Sequence, residues 1–174
     1  VGSFYKGKGF EFIMELANKC KKIRFHLYGD KKFLIKKNFK ILKNVKIFDY
    51  IPYSKVPSVL SRYDIALMPF SKRIYGRGNI DISKSISPLK MFDYMASGKI
   101  IIASELKIYE HILKNKHNSI LIKSNNPIKW KENIEKIFKN PKKYKKISIN
   151  AYHNVKKYTW DARVKKIKKK FLIN

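Results

Sequence analysis

Two clusters of residue types in this 174-residue chain point to anion chemistry. The first is residues 85–98, SISPLKMFDYMASG, where Ser87-Pro88 leads into a predicted helix over 89–96 that Gly98 ends. Proline just inside a helix start and glycine just past its end is the asymmetry of genuine helix boundaries. Open amides at such a start, with the positive end of the helix dipole, attract anions. Lys90 stands in that first turn and Asp93 one turn further on. A phosphate at the tip and a hydroxylated group beside Asp93 would describe a nucleotide. A capped helix with two solvated charges fits the same residues. The second cluster, Lys6-Gly7-Lys8-Gly9, has the composition of a phosphate loop. It lacks the Walker spacing and the closing Lys-Ser/Thr pair, and it also lacks the third glycine of a dinucleotide fingerprint. A tight turn is the simpler account of it.

Other side chains carry weaker signals. Arg73 and Arg77 would clamp phosphates, but solvated loop charges are the default reading. Tyr53 and Phe70 would stack a base, although aromatics in this pattern more often belong to the core. Glu15, Glu105 and Glu110 qualify for acid–base work by type alone. Cys20, on a helix face with Ala17, reads as a small buried hydrophobe. Four scattered histidines with one cysteine offer no metal-ligand spacing, so no metal is expected.

The elements that must hold these residues alternate between strand and helix. Strands are predicted over 1–5, 23–28, 45–51, 64–70, 100–103 and 119–122. Helices are predicted over 10–20, 31–42, 56–62 with Ser54 as its cap, 89–96 and 105–113. Three more helical segments follow, broken at Asn125-Asn126-Pro127, Asn140-Pro141 and Tyr158-Thr159. Residues 71–84 show no periodicity and read as a long functional loop. This order implies an α/β domain, a Rossmann-like open parallel sheet with helices on both faces. Ligands bind outside the carboxyl ends of such strands. The polar or glycine-rich segments 2–9, 29–30, 51–53 and 71–88 converge there, which raises the nucleotide reading above the plain one.

Composition bounds the alternatives. The chain reads as one domain of residues 1–174, with 44% apolar residues and no apolar run of the ~20 residues needed to span a membrane. Val1 stands inside what reads as a strand, as in a fragment of a longer protein. The single cysteine fits a reducing, cytoplasmic compartment. Forty-one basic residues face 12 acidic ones, a net charge of +29. Nucleic acid or an anionic membrane would be attracted by such a charge. Yet only five of the 41 are arginine, whose fork reads bases where lysine cannot. Lysine, isoleucine and asparagine enriched together look like a codon bias acting on surface positions. No specific nucleic-acid partner is therefore expected. The tail VKKIKKKFLIN, as a basic amphipathic helix, could make a peripheral contact at the inner face of the membrane. A solvated final helix is the simpler reading.

Three segments, YKGKGFEFIMELA, the strand ending at Gly29-Asp30, and SPLKMFDYMASGKIIIAS, resemble the nucleotide-sugar-binding half of GT-B glycosyltransferases of the large retaining family 4. The apolar strand near 63–69 and the closing YTWDARVKKI are similar to that family as well. The resemblance covers essentially the whole chain in order. It implies a glycosyltransferase donor domain binding a UDP- or GDP-sugar, with transfer to a saccharide or lipid-linked acceptor, such as in cell-surface polysaccharide synthesis, and with retention. The nucleotide sugar is then a substrate, and no cofactor is expected. It also implies that the acceptor-binding N-terminal domain lies outside this chain, which would be inactive alone.

Residue by residue, Lys8 falls on the lysine that contacts the donor diphosphate, with Gly2 and Ser3 in the turn before it. Asp93 falls on the second carboxylate of the Glu-x7-Glu signature, which binds ribose. Ser87, Pro88, Leu89 and Lys90 fall on the segment whose amides meet the phosphates. Gly29 belongs to the same rim, and Tyr50, Ile51 and Pro52 fall where backbone holds the base edge. The chain departs from the pattern twice: Ser85 replaces the first carboxylate and Ser3 the usual arginine. These departures place contacts to the transferred sugar in doubt and keep a non-catalytic homologue in view, beside a basic module for nucleic acid or membrane.

Overall fold

The structure, a computed structural model, describes residues 1–36, 39–123 and 125–171. Strands β1 (Phe25–Tyr28) and β2 (Val45–Phe48) pair in parallel, Phe25 opposite Val45 and Tyr28 opposite Phe48. Strands β3 (Ile65–Met68), β4 (Ile100–Ser104) and β5 (Ile120–Ile122) form a second parallel sheet in that order. Ile65 stands opposite Ile100, and Ile102 opposite Ile120.

Successive residues of a strand point to opposite faces, and here both faces are covered. Ile65 and Leu67 of β3 and Ile100 and Ile102 of β4 join one hydrophobic cluster. Ala66, Met68, Ile101 and Ala103 join the other. That is why these strands read as unbroken apolar runs. Helices α1 (Phe10–Lys19) and α5 (Pro127–Lys139) cover the first face with Phe10, Leu16, Trp130 and Ile134. Helices α3 (Val56–Leu60), α4 (Lys90–Ala96) and α6 (Pro141–Val155) supply Val56, Met91, Met95 and Ala151 to the second. Burying each such side chain is worth ~1.5–3 kcal/mol. Short α2 (Lys31–Lys36) follows β1, and α7 (Trp160–Phe171) ends the described chain with no buried residue. Among the described residues no helix is long and apolar enough to cross a membrane.

The expected α/β class is borne out, with four differences. Residues 1–5 form no strand: Gly2 N–H donates to Tyr28 O at 2.8 Å, but Gly2 has φ 122°, which turns the chain out of the ladder. The expected single sheet is therefore two sheets. The helix expected over 105–113 is a 3-10 turn, Lys107–Tyr109, followed by looser turns. There Asn118 donates to Ile112 O and accepts from Lys114 N–H, taking backbone groups a helix would need. The helix expected to 42 is α2, ending at Lys36; residues 37–38 lie outside the described ones. Finally, Ser54 lies in the 3-10 turn Tyr53–Lys55, and α3 starts at Val56 without a side-chain cap.

Candidate functional site

The loops meet where β1 and β3 end. Gly29, directly after β1, lets the N-terminal segment cross: a Cβ there would stand 2.2 Å from Gly2 O. Gly7 has φ 82°, and a Cβ would fall 2.1 Å from Arg73 O. Backbone bonds from Ser71 N–H to Gly7 O (2.9 Å) and from Tyr75 N–H to Lys6 O (3.0 Å) lock the two loops together. Residues 71–84, aperiodic in sequence, are built as a small hairpin. Tyr75 and Asp81 bridge antiparallel, Ile82 N–H donates to Ile74 O at 2.9 Å, and Ile74 is buried. Arg73 and Arg77 stay exposed on it.

Two lysines converge beside this junction. Lys8 Nζ donates to Ser3 Oγ at 2.8 Å. Lys90 Nζ lies 4.9 Å from the Phe70 ring centroid and would stand 3.5 Å from a Cβ at Gly2. Burial pushes the Lys8 ammonium below its ordinary range. Burial first, and the Lys8 charge second, push Lys90 down to about 8. Neither lysine has a carboxylate partner among the described residues. Removing a charge from water without a counterion is costly, and both ammonium groups bear that cost here.

Asp93 lies one turn along α4 from Lys90, and its Oδ1 accepts from the Tyr53 hydroxyl at 2.8 Å. That bond, then the Asp93 charge, raise the Tyr53 phenol pKa. Tyr53 is 77% exposed, so it is no core aromatic, whereas Phe70 at 1% is one. Ile51 packs on the second cluster, and Pro52 O accepts from Lys55 N–H at 2.9 Å, closing the turn that presents Tyr53. The 51–53 segment is thus tied to Asp93.

At the start of α4 most amides are engaged locally. Leu89 N–H donates to Ser87 O, Met91 N–H to Pro88 O, and Phe92 and Asp93 N–H to Leu89 O. Of the amides of residues 89–93, that of Lys90 alone has no acceptor among the described residues. Positive charge at this tip comes mainly from side chains. Ser85, Ser87 and Leu89 are exposed there, Pro88 is buried, and Ser85 N–H donates to Ile82 O at 3.0 Å. Glu15, Glu105 and Glu110 are exposed, and none stands with the lysine pair; Cys20 is buried and free. The structure thus gathers Gly2, Ser3, Lys8, Gly29 and Lys90, adds Asp93 with the 51–53 turn, and leaves Arg73 and Arg77 exposed on the hairpin. Sequence reasoning missed three contacts: Ser3 to Lys8, Lys8 beside Lys90, and Tyr53 to Asp93. A signal existed only for the first, in the five-residue spacing across a glycine turn.

Lys8 and Lys90 thus stand together at the carboxyl ends of the strands of a doubly covered parallel α/β domain, with Asp93 one helical turn beyond Lys90. Residues 1–154 match the family of glycosyl transferases group 1, and the chain belongs to that family. An uncharacterized glycosyltransferase of Methanocaldococcus jannaschii is 25% identical over 176 residues, covering 97% of this chain and 46% of its own. Among solved structures, Anabaena Alr3699/HepE in complex with UDP and glucose superposes with TM-score 0.74 at 14% identity, over 99% of this chain and 48% of that one. The C-terminal domain of the group 1 family protein LpcC from Francisella tularensis superposes with TM-score 0.67 at 20% identity, over 92% and 84%. The chain spans about half the length of the archaeal relative.

Proposed function

We propose that this domain binds the nucleoside-diphosphate sugar donor, a UDP- or GDP-sugar, of a glycosyltransferase of the retaining family 4 type. The observation that carries the reading is the convergence of Lys8 and Lys90 without a carboxylate partner among the described residues, with Asp93 one helical turn beyond Lys90. A diphosphate between the two ammonium groups would offset their desolvation and mutual repulsion. Asp93 would chelate the ribose diol, exchanging its bond from Tyr53 for bonds from the sugar. The 51–53 turn would hold the base edge. The Anabaena neighbour, solved with UDP and glucose, supports this class of ligand.

When the anomeric bond breaks, negative charge grows on the departing diphosphate. Lys8, Lys90 and the open Lys90 amide stand ready to stabilise it as it develops, in a site partly shielded from water. The groups supplied here are electrophilic, so the acceptor and any base would come from a second, N-terminal domain, with a saccharide or lipid-linked acceptor and retention. The fragment would then bind donor without turning it over. A role as the C-terminal half of a GT-B enzyme is supported by the likeness to the LpcC C-terminal domain. A peripheral contact at the inner face of a membrane is supported by α7, where Trp160, Val164, Ile167 and Phe171 are exposed among lysines.

Calorimetry with UDP and GDP tests the reading. Binding by the wild type and a clear loss in both Lys8→Ala and Asp93→Ala, each still folded by circular dichroism, is the expected result. Equal affinity in all three proteins would remove the site.

A further inference from the structure

Two lysines that repel each other, with no carboxylate partner among the described residues, are expected to swing apart into water. Holding such long side chains in place also costs rotamer entropy. Yet Lys8 and Lys90 stay half-buried, near enough for the Lys8 charge to lower the Lys90 pKa. Two aromatic rings account for this. Lys8 Nζ lies 5.1 Å from the Tyr5 ring centroid, and Lys90 Nζ lies 4.9 Å from that of Phe70. Both distances are within the ~6 Å over which the face of a ring attracts a cation. That attraction is strongest where water is excluded. Phe70 is buried, and burial depresses both lysine pKa values.

Local backbone builds both contacts. Lys8 N–H donates to Tyr5 O at 3.0 Å, closing a turn whose third residue is Gly7, with φ 82°. A positive φ at that position is what a type II turn asks of glycine. The turn brings the Lys8 stem back to the ring that precedes it. Ser3 Oγ then accepts one of the ammonium N–H groups at 2.8 Å, and a lysine has three. On the other side Phe70 N–H donates to Met68 O at 3.0 Å at the end of β3, and Ser71 N–H donates to Gly7 O at 2.9 Å. The Phe70 ring is therefore tied to the loop that carries Tyr5 and Lys8. A carboxylate in either place would cancel the charge it held and compete with an incoming anion. A ring face is negative without carrying net charge, so it fixes an ammonium group and leaves it positive.

We propose that Tyr5 and Phe70 are positioning residues of the anion site, their ring faces holding the Lys8 and Lys90 ammonium groups together and charged so that both remain for one diphosphate. Neither ring needs to touch that anion; each acts through its lysine. That the anion belongs to a nucleotide sugar rests on the donor reading above, whereas the hold of the rings on the lysines does not.

Fluorine on a phenylalanine ring drains negative charge from its face and leaves its shape nearly unchanged, so it separates attraction from packing. The test puts phenylalanine with one, two and three ring fluorines at position 70, and the same series at position 5, read against Tyr5→Phe. Tyr152 of α6, whose ring centroid lies 5.3 Å from Lys156 Nζ, takes the series as a control. The Lys90 Nζ titration is followed by NMR in the free domain, its signal identified by its loss in Lys90→Met. Pyrophosphate, UDP and GDP are titrated by calorimetry. Fluorination at position 70 should lower the Lys90 pKa stepwise, by roughly 0.5–1 at three fluorines. Pyrophosphate affinity should fall stepwise in both series, about three- to tenfold at three fluorines. The Tyr152 series should move neither quantity. Ile101→Val, which thins the core cluster that holds Phe70, should lower Tm yet leave the Lys90 pKa in place. A Lys90 pKa and a pyrophosphate affinity that ignore the fluorine count would overturn the proposal, since the rings would then only pack. Fluorine-graded pyrophosphate binding, with UDP and GDP bound no tighter than pyrophosphate, would support the role of the rings and remove the donor reading alone.

Discussion

The lysine pair at the end of β1 and the lysines of α7 are the same residue type put to opposite physical use. On α7, Lys165, Lys166, Lys168, Lys169 and Lys170 are all exposed, and water solvates them. At the site, Lys8 and Lys90 are drawn partly out of water beside one another, and burial depresses both pKa values. A net charge of +29 is therefore silent about function. Two of the 41 basic residues carry the argument because the fold desolvates them, and the others set how the surface meets polyanions in low salt.

Neutralising the two regions separately should break this equivalence most sharply. Lys8→Ala with Lys90→Met should weaken UDP or GDP binding by more than about 100-fold, since each charge-assisted bond contributes ~1.5–3 kcal/mol. Changing all five α7 lysines to glutamine should alter it less than about threefold in the same calorimetric titration. Asp93→Ala should cost about 10- to 100-fold through the lost diol contacts, with Asp93→Glu recovering part of that.

Lys90 should also couple affinity and stability to pH with opposite signs. Its folded pKa of about 8 lies below the ordinary 10.5. Below pH 8 the folded protein carries the full cost of the buried charge. Between 8 and 10.5 the unfolded chain holds the proton and the folded one does not, so stability of the free domain rises with pH. Nucleotide affinity should fall over that window as the ammonium is lost. Parallel slopes in denaturant melts and titrations at pH 7, 8 and 9 would contradict the assignment. By the same reasoning Lys90→Met should stabilise the free domain at pH 7 by roughly 1–3 kcal/mol while impairing binding. The smallest effect concerns salt. Binding of single-stranded polyanion to the surface should drop steeply from 50 to 200 mM salt, and UDP binding in the cleft much less.

Much of this molecule was legible before folding. The apolar runs of β3, β4 and β5, the helix stop at Gly98 and the breaks between the last three helices at Asn140-Pro141 and Tyr158-Thr159 follow from local chemistry that tertiary contacts reinforce. The 105–113 helix failed because Asn118, distant from its start, takes the backbone groups of Ile112 and Lys114. The hairpin in 71–84 was unreadable because Ile74, not a periodic pattern, anchors it. Tyr53 looked like a stacking or core residue until the turn after Pro52 carried its hydroxyl to Asp93, 40 positions away.

By itself the sequence determined the alternation of strands and helices, the family likeness and the residue types available to hold an anion, because periodicity, turn residues and caps act over a few positions. Only the tertiary structure decided which lysines lose water and which carboxylate stands beside them. Desolvation and long-range side-chain contacts depend on what arrives from elsewhere in the chain, and no local pattern records that.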